Sequence, residues 1–194
     1  MRLAINLLLI ALVAFLIYLL YDSIKTPILF QNEKTKREQA VIAKLENIKQ
    51  AQQVFRDIKG KFSNNFDSLR YVLTNDRLSD IIASGDPDDP SNVDLITYDT
   101  TYTAAIDVVK NRGIRLDSME YVPFAKNNEK FKLQAMEITY QSTNNVPVIL
   151  CGIKRSVFMG KFDESYSKYD DSYDPEKPMQ FGDLSKPNLN GNWE

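Results

Sequence analysis

The strongest constraint on this chain is residues 3–58, where nineteen almost wholly apolar residues precede an amphipathic stretch. From Leu3 to Tyr21 the residues are Leu, Ile, Val, Ala, Phe and Tyr, broken only by Asn6, and the first charge after Arg2 is Asp22. At about 1.5 Å per residue, a helix of this length covers the roughly 30 Å hydrocarbon core of a bilayer. Tyr18 and Tyr21 stand at one end, where amphipathic rings favour the headgroup level. A cleaved signal peptide has a shorter apolar core of about 7–15 residues and a small-residue cleavage site. Tyr21-Asp22-Ser23-Ile24-Lys25 offers no such site, so an uncleaved anchor is expected. Flanking positive charges (Arg2 against Lys25, Lys34, Lys36 and Arg37) taken alone place the carboxyl side in the cytoplasm. A two-residue amino tail is more easily retained than moved, and long domains translocate regardless of flanking charge. The expected placement is therefore a single-pass protein of a bacterial inner membrane with a periplasmic domain.

Beyond a break expected at Pro27, Val41, Leu45, Ile48, Ala51, Phe55 and Ile58 recur in steps of three and four and form one helical face. The opposite face holds Lys36, Glu46, Lys49, Gln50, Gln53 and Asp57. The stalk helix is expected to begin near Asn32 or Glu33 and to end at Gly60, the residue that adopts left-handed geometry without penalty. Its apolar stripe packs either on the protein's own domain or, at Val41, Leu45, Ile48 and Phe55, against a partner. At under three heptads it is too short for a firm coiled coil.

Further along, Asn64-Asn65 caps a short helix holding Phe66, Leu69, Val72 and Leu73, and a second helical piece is expected over Leu78 to Ala83, ending at Gly85. The prolines of Asp86-Pro87-Asp88-Asp89-Pro90 interrupt regular structure. Strand formers then predict strands near Leu95–Val109, Met119–Phe124, Phe131–Tyr140 and Val146–Met159, with turns at Asn127-Asn128 and Thr143-Asn144-Asn145. The fold expected is α+β: a transmembrane helix continuing into a long amphipathic helix, packed on a small antiparallel sheet and followed by an irregular tail. The divisions are an anchor over 1–26, a stalk over 27–60, a domain over 61–162 and an acidic, tyrosine-rich tail over 163–194. Trp193 is the sole tryptophan, and its apolar surface calls for burial. The tail either folds back on its own domain or docks on a partner.

Composition removes several chemistries. The 194 residues include no histidine, which excludes Ser-His-Asp and Cys-His catalysis and almost every zinc or haem site. A net charge of −2 without a basic patch gives no footprint for nucleic acid. No P-loop, G-x-G-x-x-G or G-x-S-x-G occurs. No cofactor is expected. Cys151, at the end of the apolar run Val146–Leu150, reads as a buried thiol; Lys154 and Arg155 nearby keep a reactive one in view. Asp86, Asp88, Asp89 and Asp94 are the candidate Ca²⁺ ligands, as are Asp170, Asp171 and Asp174, although neither group has the EF-hand spacing and a solvated loop is the simpler account.

The apolar helix leading into Ala40–Ile58, with Gln52 and Phe55, then Gly60-Lys61-Phe62 and Phe66-Asp67-Ser68-Leu69, resembles the layout of type IV pilins and type II secretion pseudopilins. That resemblance implies a helix, a Gly-aromatic turn and a sheet. The prepilin Gly-Phe processing site and the glutamate after it do not occur, so polymerisation of the pilin kind is not expected. Asp117-Ser118-Met119-Glu120-Tyr121-Val122-Pro123-Phe124 and Gly191-Asn192-Trp193-Glu194 resemble segments of single-pass membrane proteins of Bacteroidota, which supports location more than activity.

The expected role is a non-enzymatic, membrane-anchored envelope subunit of a pilus-like, secretion or trans-envelope assembly. Its partners would be the lipid bilayer and other envelope membrane proteins or a second copy, and its contact residues Asn6, Val41, Leu45, Ile48, Phe55 and Trp193. Asn6 would add an interhelical hydrogen bond in the membrane. The alternatives are a calcium- or glycan-dependent ligand-binding module and a carboxylate or Ser/Lys hydrolase.

Overall fold

The structure, a computed structural model, describes residues 2–84, 97–162, 170 and 172–194. It is α+β, with one long apolar-to-amphipathic helix, small antiparallel sheets and a largely irregular C-terminal region. The elements are α1 (Arg2–Lys59), α2 (Phe66–Asn75), β1 (Arg77–Ser84), β2 (Thr97–Ala104), α3 (Ala105–Asn111), β3 (Lys132–Tyr140), β4 (Thr143–Lys154), α4 (Arg155–Met159) and β5 (Pro178–Asp183).

The segments expected as anchor and stalk are one helix. α1 runs through Pro27 without a break, and the N-cap expected near Asn32 is mid-helix. Proline removes one backbone donor and costs about 3 kcal/mol in a helix interior. Here the apolar run precedes it and buried Phe30 follows within one turn, so helical structure is held on both sides. The other end is as expected: Gly60 has φ 74° and its N–H donates to Arg56 O at 2.7 Å.

The described residues form two compact units that interleave along the chain rather than following the four linear divisions. The first comprises Met1–Val41, Pro123–Glu129 and Lys154–Pro178; the second comprises Ile42–Val122, Lys130–Ile153 and Met179–Glu194. Within the second unit, Leu45, Ile48, Ala51, Val54 and Phe55 of α1 are buried together with Leu69 and Leu73 of α2. Asn65 caps α2, its Oδ1 accepting from Asp67 N–H at 2.7 Å. Buried Gln52 does what an apolar residue would not: its side-chain amide donates to Ser63 O and its oxygen accepts from Ser63 N–H, at 3.0 and 2.9 Å. This two-way bond fixes the turn after Gly60.

Four local expectations are corrected. Leu78–Ala83 is strand, not helix: all eight residues of β1 pair antiparallel with β2, Arg77 opposite Ala104 through Ser84 opposite Thr97. A partner rich in Thr and Tyr decides the conformation where local spacing alone did not. The strand expected over Leu95–Val109 ends at Ala104, and α3 follows with Ala105 and Val109 buried one turn apart. Met119–Phe124 contributes a single bridge, Tyr121 to Lys130. The strand expected over Val146–Met159 starts earlier and stops at Lys154, where α4 begins.

The second sheet has the order β3-β4-β5. The β3–β4 turn is Gln141-Ser142, two residues before the expected Thr143-Asn144-Asn145; both have positive φ, as a two-residue hairpin turn of matching twist requires. β5 lies within the expected tail. Its Met179 and Phe181 are buried, and Gly191 bridges back to Phe181. Among the described residues, the C-terminal segment therefore folds back on its own chain.

Candidate functional site

α1 is long and apolar enough to cross a membrane. Its apolar side chains are exposed from Leu3 to Leu29, and Phe30 is the first to be buried. That exposed length is about 40 Å against a hydrocarbon core of roughly 30 Å, so the apolar surface extends past Asp22 through Ile24, Ile28 and Leu29. Asn6 lies on this exposed surface.

Immediately after it, the first unit is tied to α1 by charge and by rings. Lys34 Nζ sits 2.6 Å from Asp170 Oδ2, Gln31 donates to the same oxygen at 2.9 Å, and Ser172 donates to Oδ1 from its backbone N–H and its hydroxyl. The Lys34 hydrogen bond, then that of Ser172, hold Asp170 well below the usual carboxylate range against the opposing effect of burial. A carboxylate so stabilised supports the fold above its ordinary pKa and loses that support as pH falls toward its lowered one. Asp170→Asn is therefore expected to lower stability by about 1–2 kcal/mol at pH 7. The gap from the native chain should narrow steadily below about pH 4, in unfolding curves recorded in detergent micelles. Phe30 meets Tyr173 edge-on at 5.5 Å.

One turn further, Arg37 donates to Glu33 at 2.7 Å and to the carbonyls of Phe158 and Met159 at 2.7 and 3.1 Å. Its guanidinium stands 5.0 Å from the Phe124 ring and 4.7 Å from that of Phe162. These bonds satisfy carbonyls in the last turn of α4, a helix too short to be stable alone. Glu38 accepts from Arg155 at 3.0 Å, and Lys154 pairs with Glu176. A lysine at 37 keeps the charge but has neither the planar fork nor the stacking face. Arg37→Lys is expected to cost about 1–3 kcal/mol, read as a lower thermal midpoint with unchanged far-ultraviolet circular dichroism.

In the second unit, buried Glu120 lies between Arg70 and Lys130. Burial alone would raise its pKa; the Lys130 hydrogen bond and the Arg70 charge outweigh that and lower it. Lys44 donates to Ser118 O, and Asn47 exchanges two hydrogen bonds with Arg115. Glu194 pairs with Lys49 at 2.9 Å.

The stripe residues offered as a partner surface, Val41, Leu45, Ile48 and Phe55, are buried within the chain. That corrects the partner reading in favour of own-chain packing. Trp193 is half-buried, with its ring against Gly191. Cys151 is fully buried and burial pushes its thiol far up, while Lys154 and Arg155 are engaged with carboxylates elsewhere. Asp86, Asp88, Asp89 and Asp94 lie outside the described residues, as does Asp171. Among the described residues no three Cys, Asp or Glu side chains gather as a metal site.

The feature that sequence reading missed is an open cleft of about 490 Å³ beside β3, with Phe55, Phe62, Lys61, Ser68, Met136 and Glu137 among its walls. A second cleft of about 450 Å³ adjoins it, shares Asn64, Ala135 and Met136, and reaches Leu133, Gln134 and Leu184. β3 was legible as a strand, but its place at the sheet edge depends on strand order, which no local pattern carries. No protein-family model, curated protein or solved structure matches the chain.

Proposed function

We propose that this chain is a non-enzymatic, single-pass membrane protein of the bacterial envelope, acting as a structural or accessory subunit of a larger assembly. Its α+β part stands on the periplasmic side of the inner membrane. The observation that carries the reading is α1: one unbroken helix that exposes an almost wholly apolar run from Leu3 to Tyr21 and whose second half is built into an α+β fold. A helix that joins an apolar run directly to folded surface suits a subunit that presents that surface beside a bilayer. Lys34, Arg37 and Glu38, on the turns of α1 that follow the exposed apolar run, hold the rest of the first unit to the helix.

The test has two readouts on the full chain in a Gram-negative host. Alkaline carbonate should leave it in the membrane pellet, and protease added to spheroplasts should digest the α+β part. Mild-detergent purification, with Trp193→Ala as the comparison, then asks whether the same envelope proteins accompany it in fixed ratio. Protection from protease would reverse the orientation. Purification as a lone chain in both forms would remove the assembly role. A second reading, a ligand-binding module, is favoured by the cleft beside β3.

A further inference from the structure

Strand β3 closes one side of the three-stranded sheet, so among the described residues its far edge has no strand neighbour. Successive side chains of a strand point to opposite faces, and a cavity above one face touches every second residue. The two adjoining clefts instead touch five consecutive residues, Leu133 through Glu137. A hollow lined by an unbroken run opens onto the edge of the strand, where its backbone N–H and C=O groups point. The facing wall is the turn after α1, Lys61 to Asn64, which the Gln52–Ser63 bonds hold in place. Just upstream of β3 the chain already takes short backbone partners: Lys130 bridges to Tyr121, and Phe131 N–H donates to Glu120 O at 2.9 Å. Among the described residues that pairing stops before Lys132 and leaves the central edge open.

An open strand edge is a template for another strand, and proteins usually guard it with charge, proline or a covering element. Here the centre of the edge is Gln134, Ala135 and Met136, with Met136 53% exposed and Ala135 half-buried. Charges occur only at the margins. Lys61 and Glu137 stand in the same cleft, and among the described residues neither is held in an ion pair. Phe55 and Phe62, 5% and 8% exposed, put a small apolar patch into a cleft whose lining is otherwise mostly polar.

We infer that this groove receives an extended peptide segment of a partner protein, added to β3 as a fourth strand. The segment would carry an apolar side chain for the Phe55–Phe62–Met136 patch, flanked by an acidic residue toward Lys61 and a basic one toward Glu137. Main-chain pairing supplies affinity in such additions, and pockets for alternate side chains supply selectivity. The inference rests on the assembly reading and names the kind of segment through which a partner engages.

The test uses the full chain in lipid nanodiscs and a fluorescent heptapeptide of alternating Val and Thr with a central Phe, one Glu and one Lys. Binding is followed by anisotropy for the plain peptide and for two forms N-methylated at odd or at even positions. In an extended strand, alternate N–H groups point to opposite sides. One methylated form should therefore lose at least about tenfold in affinity while the other binds like the plain peptide. Lys61→Glu and Glu137→Lys should each weaken binding about threefold, and the doubly reversed protein should prefer the charge-reversed peptide. No binding at millimolar peptide, or equal loss from both methylations, overturns strand addition. Self-association of the chain that Glu137→Lys abolishes and the peptide cannot compete would make a second copy the occupant and overturn the partner assignment. Membrane retention and orientation are read separately, so either idea can fail without the other.

Discussion

Gly152→Val is expected to detach the C-terminal strand and destabilise the second unit by about 3 kcal/mol or more. A Cβ at Gly152 would lie 2.3 Å from Gln180 Cβ, 2.7 Å from Met179 O and 2.9 Å from Gln180 Cα. Two of those atoms are backbone, so no rotamer change relieves the overlap. Either β4 and β5 separate or both strands distort. Overpacking of this kind costs about 1–3 kcal/mol. Separation exposes Met179 and Phe181, each worth about 1.5–3 kcal/mol when fully buried. Gly182 meets the same strand from the other side, its Cβ position 2.0 Å from Ile149 O and its φ at +86°. The comparison is Gly113→Ala, where φ is +67° but nothing lies within 4 Å; backbone strain alone should cost it about 1 kcal/mol. Thermal unfolding in micelles reads the stabilities, and Trp193 fluorescence with limited proteolysis after residue 178 reads release of β5. Equal losses at Gly152 and Gly113, with Trp193 emission unmoved, would show that the close approach of the two strands carries no weight.

The same pair of glycines shows what the sequence could and could not convey. Helical content was legible wherever burial follows a period on one element, as in α1 from Val41 to Phe55, and wherever a cap is local, as at Asn65 and Gly60. It failed where a distant strand decides. Leu78, Ile81 and Ile82 sit at helical spacing, yet they pair with a strand some twenty residues on. β5 was hidden for a related reason: Met179 and Phe181 are two apolar residues in a polar, proline-bearing stretch, and only the glycine gaps at 152 and 182 show how close β4 comes.

For the candidate site the division runs the other way. The residues that chemistry singled out, Val41, Leu45, Ile48 and Phe55, are those the fold most needs to bury, because an apolar stripe signals burial without naming what covers it. The cleft residues Lys61, Asn64, Met136 and Glu137 gave no signal, since none is unusual alone. Arg37 was read only as a flanking positive charge. Its two rings and two carbonyls come from segments about ninety and one hundred and twenty residues away, beyond the reach of any local pattern.

Leu12→Arg combined with Leu16→Arg is expected to release the chain from the membrane, whereas either change alone leaves most of it there. Thirteen of the residues from Leu3 to Tyr21 are Leu, Ile, Val or Phe, each favouring insertion by about 0.3–0.6 kcal/mol at the centre of a span. Their sum is roughly 4–8 kcal/mol. One central arginine costs about 2.5–3.5 kcal/mol and removes one favourable leucine, which leaves insertion weakened but still favoured. Two arginines one turn apart cost about 5–7 kcal/mol, enough to cancel the whole sum. Both positions face outward, Leu12 at 48% and Leu16 at 54% exposure, so neither change disturbs packing within the chain. Loss of the double variant from the carbonate-resistant pellet, with its α+β circular dichroism intact, is therefore specific to the anchor. Retention of the double variant would move the attachment away from the Leu3–Tyr21 stretch, to the later apolar surface of α1 at Ile24, Ile28 and Leu29 or to a membrane-bound partner. The peptide groove beside β3 would then be the first place to look for that partner's contact.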